Sequence, residues 1–192
     1  MKYILPILTL FLCGCTTLTF LKIDNDGYYR FKSQPIQVKA PFEKSGDFSV
    51  FDTENSVDFT FGTGYWMFMG QYAVEVFPAE VVLSSKDAFI KKNLDGAMQT
   101  YIKMDRKEAG FNFEVIKIEA TEINGRSAVR AIGVDRKAKV PAVFIATSIL
   151  LESRIVVGSL IYPLEKVRDS DISDFAHWKM YNTWIETISE KK

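Results

Sequence analysis

The chain has 192 residues, 47% of them apolar and 14% aromatic, a composition that excludes intrinsic disorder. Lys and Arg total 24 and Asp and Glu total 24, so the basic excess of a nucleic-acid-binding protein is missing. This length suits one domain with a substantial core.

The first predicted element stands outside that domain. Lys2 is followed by a run from Tyr3 to Cys13 without an acidic residue, the charged and apolar regions of a secretory signal peptide. A bilayer-spanning helix takes roughly 20 residues, so this run is too short to cross. Both cysteines of the chain close it, in Leu12-Cys13-Gly14-Cys15. That stretch resembles a bacterial lipobox, with a Leu three positions before the cysteine and a small residue directly before it. The resemblance implies cleavage after Gly14 and lipidation of Cys15. An ordinary signal peptide cleaved nearby would instead leave Cys15 as a thiol without a partner in an exported protein. Two or more acyl chains, at ~0.8 kcal/mol per buried methylene, give stable anchoring. Thr16, standing where Asp would resemble an inner-membrane retention signal, favours the outer membrane, facing the periplasm. The expected organisation is a lipoprotein signal peptide over 1–14, a lipid-anchored tether with the first strands over 15–40, and a single domain over 41–192. From Thr16 to Asp26 the tether reaches at most ~35 to 40 Å.

Short runs of aromatic and β-branched residues follow, at Tyr28–Phe31, Ile36–Lys39, Asp47–Phe51, Val57–Phe61 and Tyr72–Phe77, and predict strands. Val81–Leu83 is expected to continue the last of these after Pro78. The period then changes. Ser84-Ser85-Lys86-Asp87 has capping-box spacing, and Ile90, Leu94, Ala97, Met98 and Tyr101 recur on one helical face. A helix is predicted over about 86–107, with Gly110 as its stop. Strands are expected over Phe111–Glu122 and Ser127–Val134, joined by an Asn124-Gly125 hairpin turn, and over Ala142–Leu151 and Ile155–Tyr162. The near-continuous apolar composition of the last pair implies burial on both faces. Asp171 is the expected N-cap of a closing helix whose stripe is Trp178, Tyr181, Ile185 and Ile188, widened by Phe175 and Trp184.

This order predicts the α+β class, a mostly antiparallel sheet covered by helices. The helix over 86–107, "EINGRSAVRAIGV" at 122–134, the apolar hairpin 142–162 and the closing helix resemble the Mog1/PsbP-like α/β/α sandwich over about residues 40–190. The resemblance implies a binding or assembly scaffold without catalytic activity. It assigns no individual residue, because "FTFGTGYWMFMGQY" departs from the segment that PsbP-like proteins carry early in the domain.

The inventory of reactive groups is thin. His177 is the single histidine, at the border of an apolar stripe, and reads as a packed boundary residue. Gly62-Thr63-Gly64 starts like a dinucleotide fingerprint but continues Tyr65-Trp66-Met67, without the third glycine. Asp24-Asn25-Asp26-Gly27 and Asp169-Ser170-Asp171 suit turns and caps better than a cation site. No catalytic residue, metal or cofactor is therefore expected. One rival is a carboxylate-based envelope enzyme using Glu75, Glu80 or Glu114 with Asp87, which requires two carboxyl groups within roughly 5 to 9.5 Å. Another is a carrier of a small apolar ligand, which requires an enclosed apolar pocket of ~300 Å³ or more.

Two segments point to contact surfaces. "GTGYWMFMGQY" concentrates Tyr65, Trp66, Met67, Phe68, Met69 and Tyr72 without a charge. As a loop it is an exposed lip for a partner protein or lipid, and as a packed strand edge it is core. Arg136, Lys137 and Lys139 form either a solvated hairpin tip or a contact to anionic head groups. The expected partners are the membrane, through Cys15, and an envelope protein or lipid, with no nucleic acid.

Overall fold

The computed structural model describes residues 23–42, 48–62, 69–77, 85–108, 110–152, 154–163 and 176–191. Its centre is a seven-stranded sheet built from β3 (Phe48–Asp52), β4 (Ser56–Gly62), β5 (Met69–Phe77), β6 (Glu114–Ile123), β7 (Arg126–Asp135), β8 (Ala142–Leu150) and β9 (Ile155–Pro163). They lie in the order β3-β4-β5-β9-β8-β7-β6, and every neighbouring pair is antiparallel. A second sheet joins β1 (Tyr28–Arg30), β2 (Ile36–Lys39) and β10 (Ser189–Glu190) in the order β1-β2-β10.

Side-chain alternation assigns the faces. On β4, Val57, Phe59 and Phe61 are buried while Ser56, Asp58 and Thr60 are half-exposed, the period-two pattern of a strand covered on one side. β7, β8 and β9 are buried at nearly every position, as their continuous apolar composition predicts, because helices cover both faces here. Tyr181, Trp184 and Ile185 of α3 (Ala176–Ile185) join the core formed with β2, β4, β5 and β8. On the opposite face Phe89 of α1 (Lys86–Lys92) and Met98 and Ile102 of α2 (Met98–Glu108) pack with Val129, Ala131, Phe144 and Val157.

The predicted single helix over 86–107 is two helices joined by a π-helical turn, Asn93–Ala97, in which Gly96 has φ +135°. The turn shifts the phase of the buried stripe. Phe89, Asn93, Met98 and Ile102 face the sheet, Ile90 and Tyr101 are half-buried, and Leu94, expected inside, is exposed. Ser85 is the N-cap, its Oγ accepting from the Ala88 N–H at 3.1 Å. Asn124 (φ +52°) and Gly125 (φ +74°) make the predicted tight hairpin turn. Strand β6 begins at Glu114, not Phe111. Asp135 explains the delay: its Oδ2 accepts the Asn112 N–H at 2.8 Å and holds that backbone in a loop. Val81–Leu83 and the expected cap Asp171 lie outside the described residues.

Candidate functional site

β4 and β5 pair from Ser56↔Glu75 to Gly62↔Met69. Between Gly62 and Met69 the segment 63–68 lies outside the described residues, and with it Tyr65, Trp66, Met67 and Phe68. Met69 opens β5.

Tyr72 corrects the expectation of an aromatic lip that runs to this position. It is fully buried, because Gly70, Tyr72, Val74 and Val76 alternate onto the core face of β5. Its ring lies 4.9 Å from Trp184, 5.7 Å from Phe61 and 5.9 Å from Phe42. The hydroxyl is buried without a hydrogen-bond partner, and burial raises its pKa, so it stays protonated. Tyr72 belongs to the aromatic core between the sheet and α3. Gly70 is required there by close approach, since a Cβ at this position would stand 2.2 Å from Phe61 Cζ.

The cationic turn follows β7. Buried Asp135 shapes it: Oδ1 accepts the Lys137 and Ala138 N–H groups, both at 2.9 Å. Around this fixed carboxylate Arg136, Lys137 and Lys139 are all exposed, and Arg136 Nη1 stands 3.7 Å from Glu114 Oε2.

The ladder registers place these features together. Gln71↔Ile161, Ala142↔Pro163 and Asp135↔Ala142 put the start of β5, the end of β9 and the β7–β8 turn at one end of the sheet. The β4–β5 pair and the β7–β8 pair are centred three strand spacings apart, ~14 Å. The turn over residues 24–27, which precedes β1, lies at the same end. Ala40 donates its N–H to Gly27 at 2.8 Å, and Phe42, two residues on, packs on Phe61 with ring centroids 4.9 Å apart. Asp24 and Asp26 both pair with Arg30 there, so this acidic cluster is occupied in holding a turn.

The opposite end carries an open groove of about 330 Å³ lined by Thr53, Asn55, Ser56, Asp58, Glu75, Val76 and Phe77. Its lining is mainly polar, unlike the apolar enclosure a carrier requires. Glu75 Oε1 accepts from the Tyr101 hydroxyl at 2.7 Å. Glu75 and Glu114 stand on strands four spacings apart, ~19 Å, too far for a hydrolytic pair. Asp87 lies in the first turn of α1, His177 in the first turn of α3, and Glu80, Asp169 and Asp171 lie outside the described residues. Among the described residues no group of three or more His, Cys, Asp or Glu side chains could hold a metal ion.

Sequence reasoning missed one arrangement. Arg130 of β7 is buried beneath α3, its Cζ 5.1 Å from the Trp178 ring centroid and 5.8 Å from that of Tyr181. Its Nε–H donates to Thr147 Oγ1 at 3.2 Å. The Tyr181 hydroxyl is 2.8 Å from both Thr147 Oγ1 and the Gly158 carbonyl. One proton serves one of these, and a chain from Arg130 Nε to Thr147 to Tyr181 to Gly158 satisfies both hydroxyls and the carbonyl. Burial raises the Tyr181 pKa and keeps that proton in place. The available signal was the single Arg within "SAVRAIGV", a polar break in a strand otherwise apolar on both faces.

The fold and its two helical layers define an α+β protein of the Mog1/PsbP-like α/β/α sandwich architecture. Among solved structures, the chain is similar to the Ran-binding protein Mog1p of Saccharomyces cerevisiae, with 12% identity, a TM-score of 0.55 and coverage of 85% of this chain and 94% of that one. A mutant of protein Mog1 matches with 12% identity, a TM-score of 0.53 and coverage of 81% and 90%. A protein from Bacteroides thetaiotaomicron matches with 13% identity, a TM-score of 0.51 and coverage of 82% of this chain but 45% of that one. No protein-family model matches the sequence, and no curated protein does.

Proposed function

We propose that this chain is a lipid-anchored, non-catalytic binding module of the bacterial cell envelope, held in the outer membrane through Cys15 and facing the periplasm. In this reading residues 65–69 contact another envelope protein or lipid, and Arg136, Lys137 and Lys139 face anionic head groups. One observation carries it. The turn over residues 24–27, the strands flanking the aromatic run and the cationic turn all lie at one end of the sheet. An anchor leading from that end would hold the charged turn toward the lipid surface, where each Lys or Arg contributes ~1 kcal/mol. Use of the same architecture by a Ran-binding protein supports binding as the role.

The full chain expressed in a bacterium with two membranes is expected to incorporate radiolabelled palmitate and to sediment with outer membranes. Cys15→Ser should lose both. A photo-crosslinking residue at Phe68 should give a discrete adduct in cells, and one at exposed Lys103 on α2 should not. Palmitate uptake by the Cys15→Ser variant, or equal crosslinking at both positions, overturns the reading.

A further inference from the structure

Arg130 and Asp135 are the charged side chains buried among the described residues, Arg130 at 8% exposure. They are satisfied very differently. Asp135 accepts three backbone N–H groups. Arg130 has five N–H donors, and among the described residues only Nε is bonded, to Thr147. No carboxylate of the described residues pairs with it. A cation buried this deeply normally has an anionic partner. Attraction to the rings of Trp178 and Tyr181 offsets part of the desolvation but uses the face of the guanidinium. Its donors lie in the plane.

Among the described residues, Tyr72 OH, Ser148 Oγ and Arg154 Nε are buried without a partner. The Nη nitrogens of Arg130 make no hydrogen bond among the described residues, and the side chain keeps a small residual exposure.

We propose that Arg130 is a carboxylate-binding residue, its Nη edge pairing in-plane with one monovalent carboxylate in a site walled by Trp178 and Tyr181 and braced by Thr147. Planar two-point pairing is what a guanidinium does best. Charge selects a carboxylate over a phosphate dianion. Glu119 stands directly opposite on β6, already engaged by Lys117 at 2.8 Å, and a second negative charge on the ligand would be repelled by it without another cation to balance it. This site goes beyond the anchoring role and stands whether or not Cys15 is lipidated.

The test uses the full-length chain in detergent with ¹⁵N-labelled Arg and Trp side chains, titrated at constant ionic strength and pH 7. Acetate should shift the Arg130 Nε–H and Trp178 indole signals saturably, at least threefold more tightly than chloride. Trp184, whose indole N–H donates to the Lys39 carbonyl at 2.9 Å, is the internal control and should stay still. Arg130→Met should abolish the response while leaving the rest of the spectrum in place, and Trp178→Phe, which keeps Arg130, should retain the Arg130 shift. An acidic hexapeptide binding at least tenfold more tightly than acetate, with its glutamine counterpart silent, would assign the carboxylate to a protein partner. Equal affinity would assign it to a small ligand. Indistinguishable responses to acetate and chloride, a response that survives Arg130→Met, or tighter binding of phosphate than of acetate would each overturn the proposal.

Discussion

The two ends of the sheet are held by different physics. At the end formed by residues 31–35, 53–55, 151–152 and 154, polar side chains tie the turns together. Gln34 Nε2 donates to Asn55 Oδ1 at 2.8 Å, Ser33 Oγ donates to the Glu54 carbonyl at 3.1 Å, and Arg154 donates to Gln34 Oε1. At the end formed by Gly62, Met69 and the β7–β8 turn, rings do the holding. Phe42, Phe48, Phe61, Tyr72 and Tyr162 stand with neighbouring centroids 4.9 to 6.1 Å apart. A hydrogen bond is directional and contributes about 1 kcal/mol net, whereas a buried ring contributes several and tolerates small shifts. Stability is thus concentrated at the ring-held end, and geometric definition lies at the far end.

The largest expected effect breaks the ring-held end. Tyr72→Ala should cost about 3 to 5 kcal/mol in chemical denaturation, the usual range for emptying a buried aromatic site. Tyr72→Phe sharpens the same point. Its hydroxyl has no partner, so removing it should be neutral or slightly stabilising. A loss above ~1 kcal/mol for Tyr72→Phe would mean that the hydroxyl is satisfied and the core less apolar than described.

Much of the scaffold was legible because one local rule spoke for each element. Asn124-Gly125 announced a turn needing positive φ at both residues, and the unbroken apolar runs of β8 and β9 announced burial on both faces. Other features have no local signature. The two-residue strand Ser189–Glu190 is too short to show a period, and only pairing with Gln37 and Ile36 makes it a strand. The phase shift at Gly96 displaced Leu94 from the expected stripe because periodicity assumes one continuous helix. Tyr72 was ambiguous for a different reason. Composition marks Tyr65 to Tyr72 as apolar, but only the β4 and β5 registers place Tyr72 in the core. Arg130 was passed over because a lone charge in a strand acquires meaning only when α3 lays two rings against it.

A smaller effect separates packing from chain conformation at the same end. Gly70→Ala introduces a Cβ 2.2 Å from Phe61 Cζ, and Phe61 is itself enclosed by Phe42, Tyr72 and Tyr162. The ring must turn and its neighbours must give way. Overpacking of this kind costs about 1 to 3 kcal/mol. Phe61→Leu in the same chain should recover part of that loss, so that the double variant is more stable than the two separate losses predict. Strict additivity would place the strain elsewhere.

The smallest effect is expected at the polar end, and it tests whether that end defines geometry more than it contributes energy. Gln34 is the shared member of the network, donating to Asn55 and accepting from Arg154. Gln34→Ala removes both bonds, yet the groups left behind are Asn55, whose turn is exposed, and Arg154, which is only half-buried. Water can replace the lost partners, so the cost should be about 0.5 to 1.5 kcal/mol. Amide exchange should show the larger change, with faster opening confined to residues 53–56 and 151–155 while the core of β7 and β8 stays protected, since local opening follows local cross-links. A loss comparable to that of Tyr72→Ala would show that this end carries stability as well as shape, and the contrast between the two ends would then be one of chemistry alone.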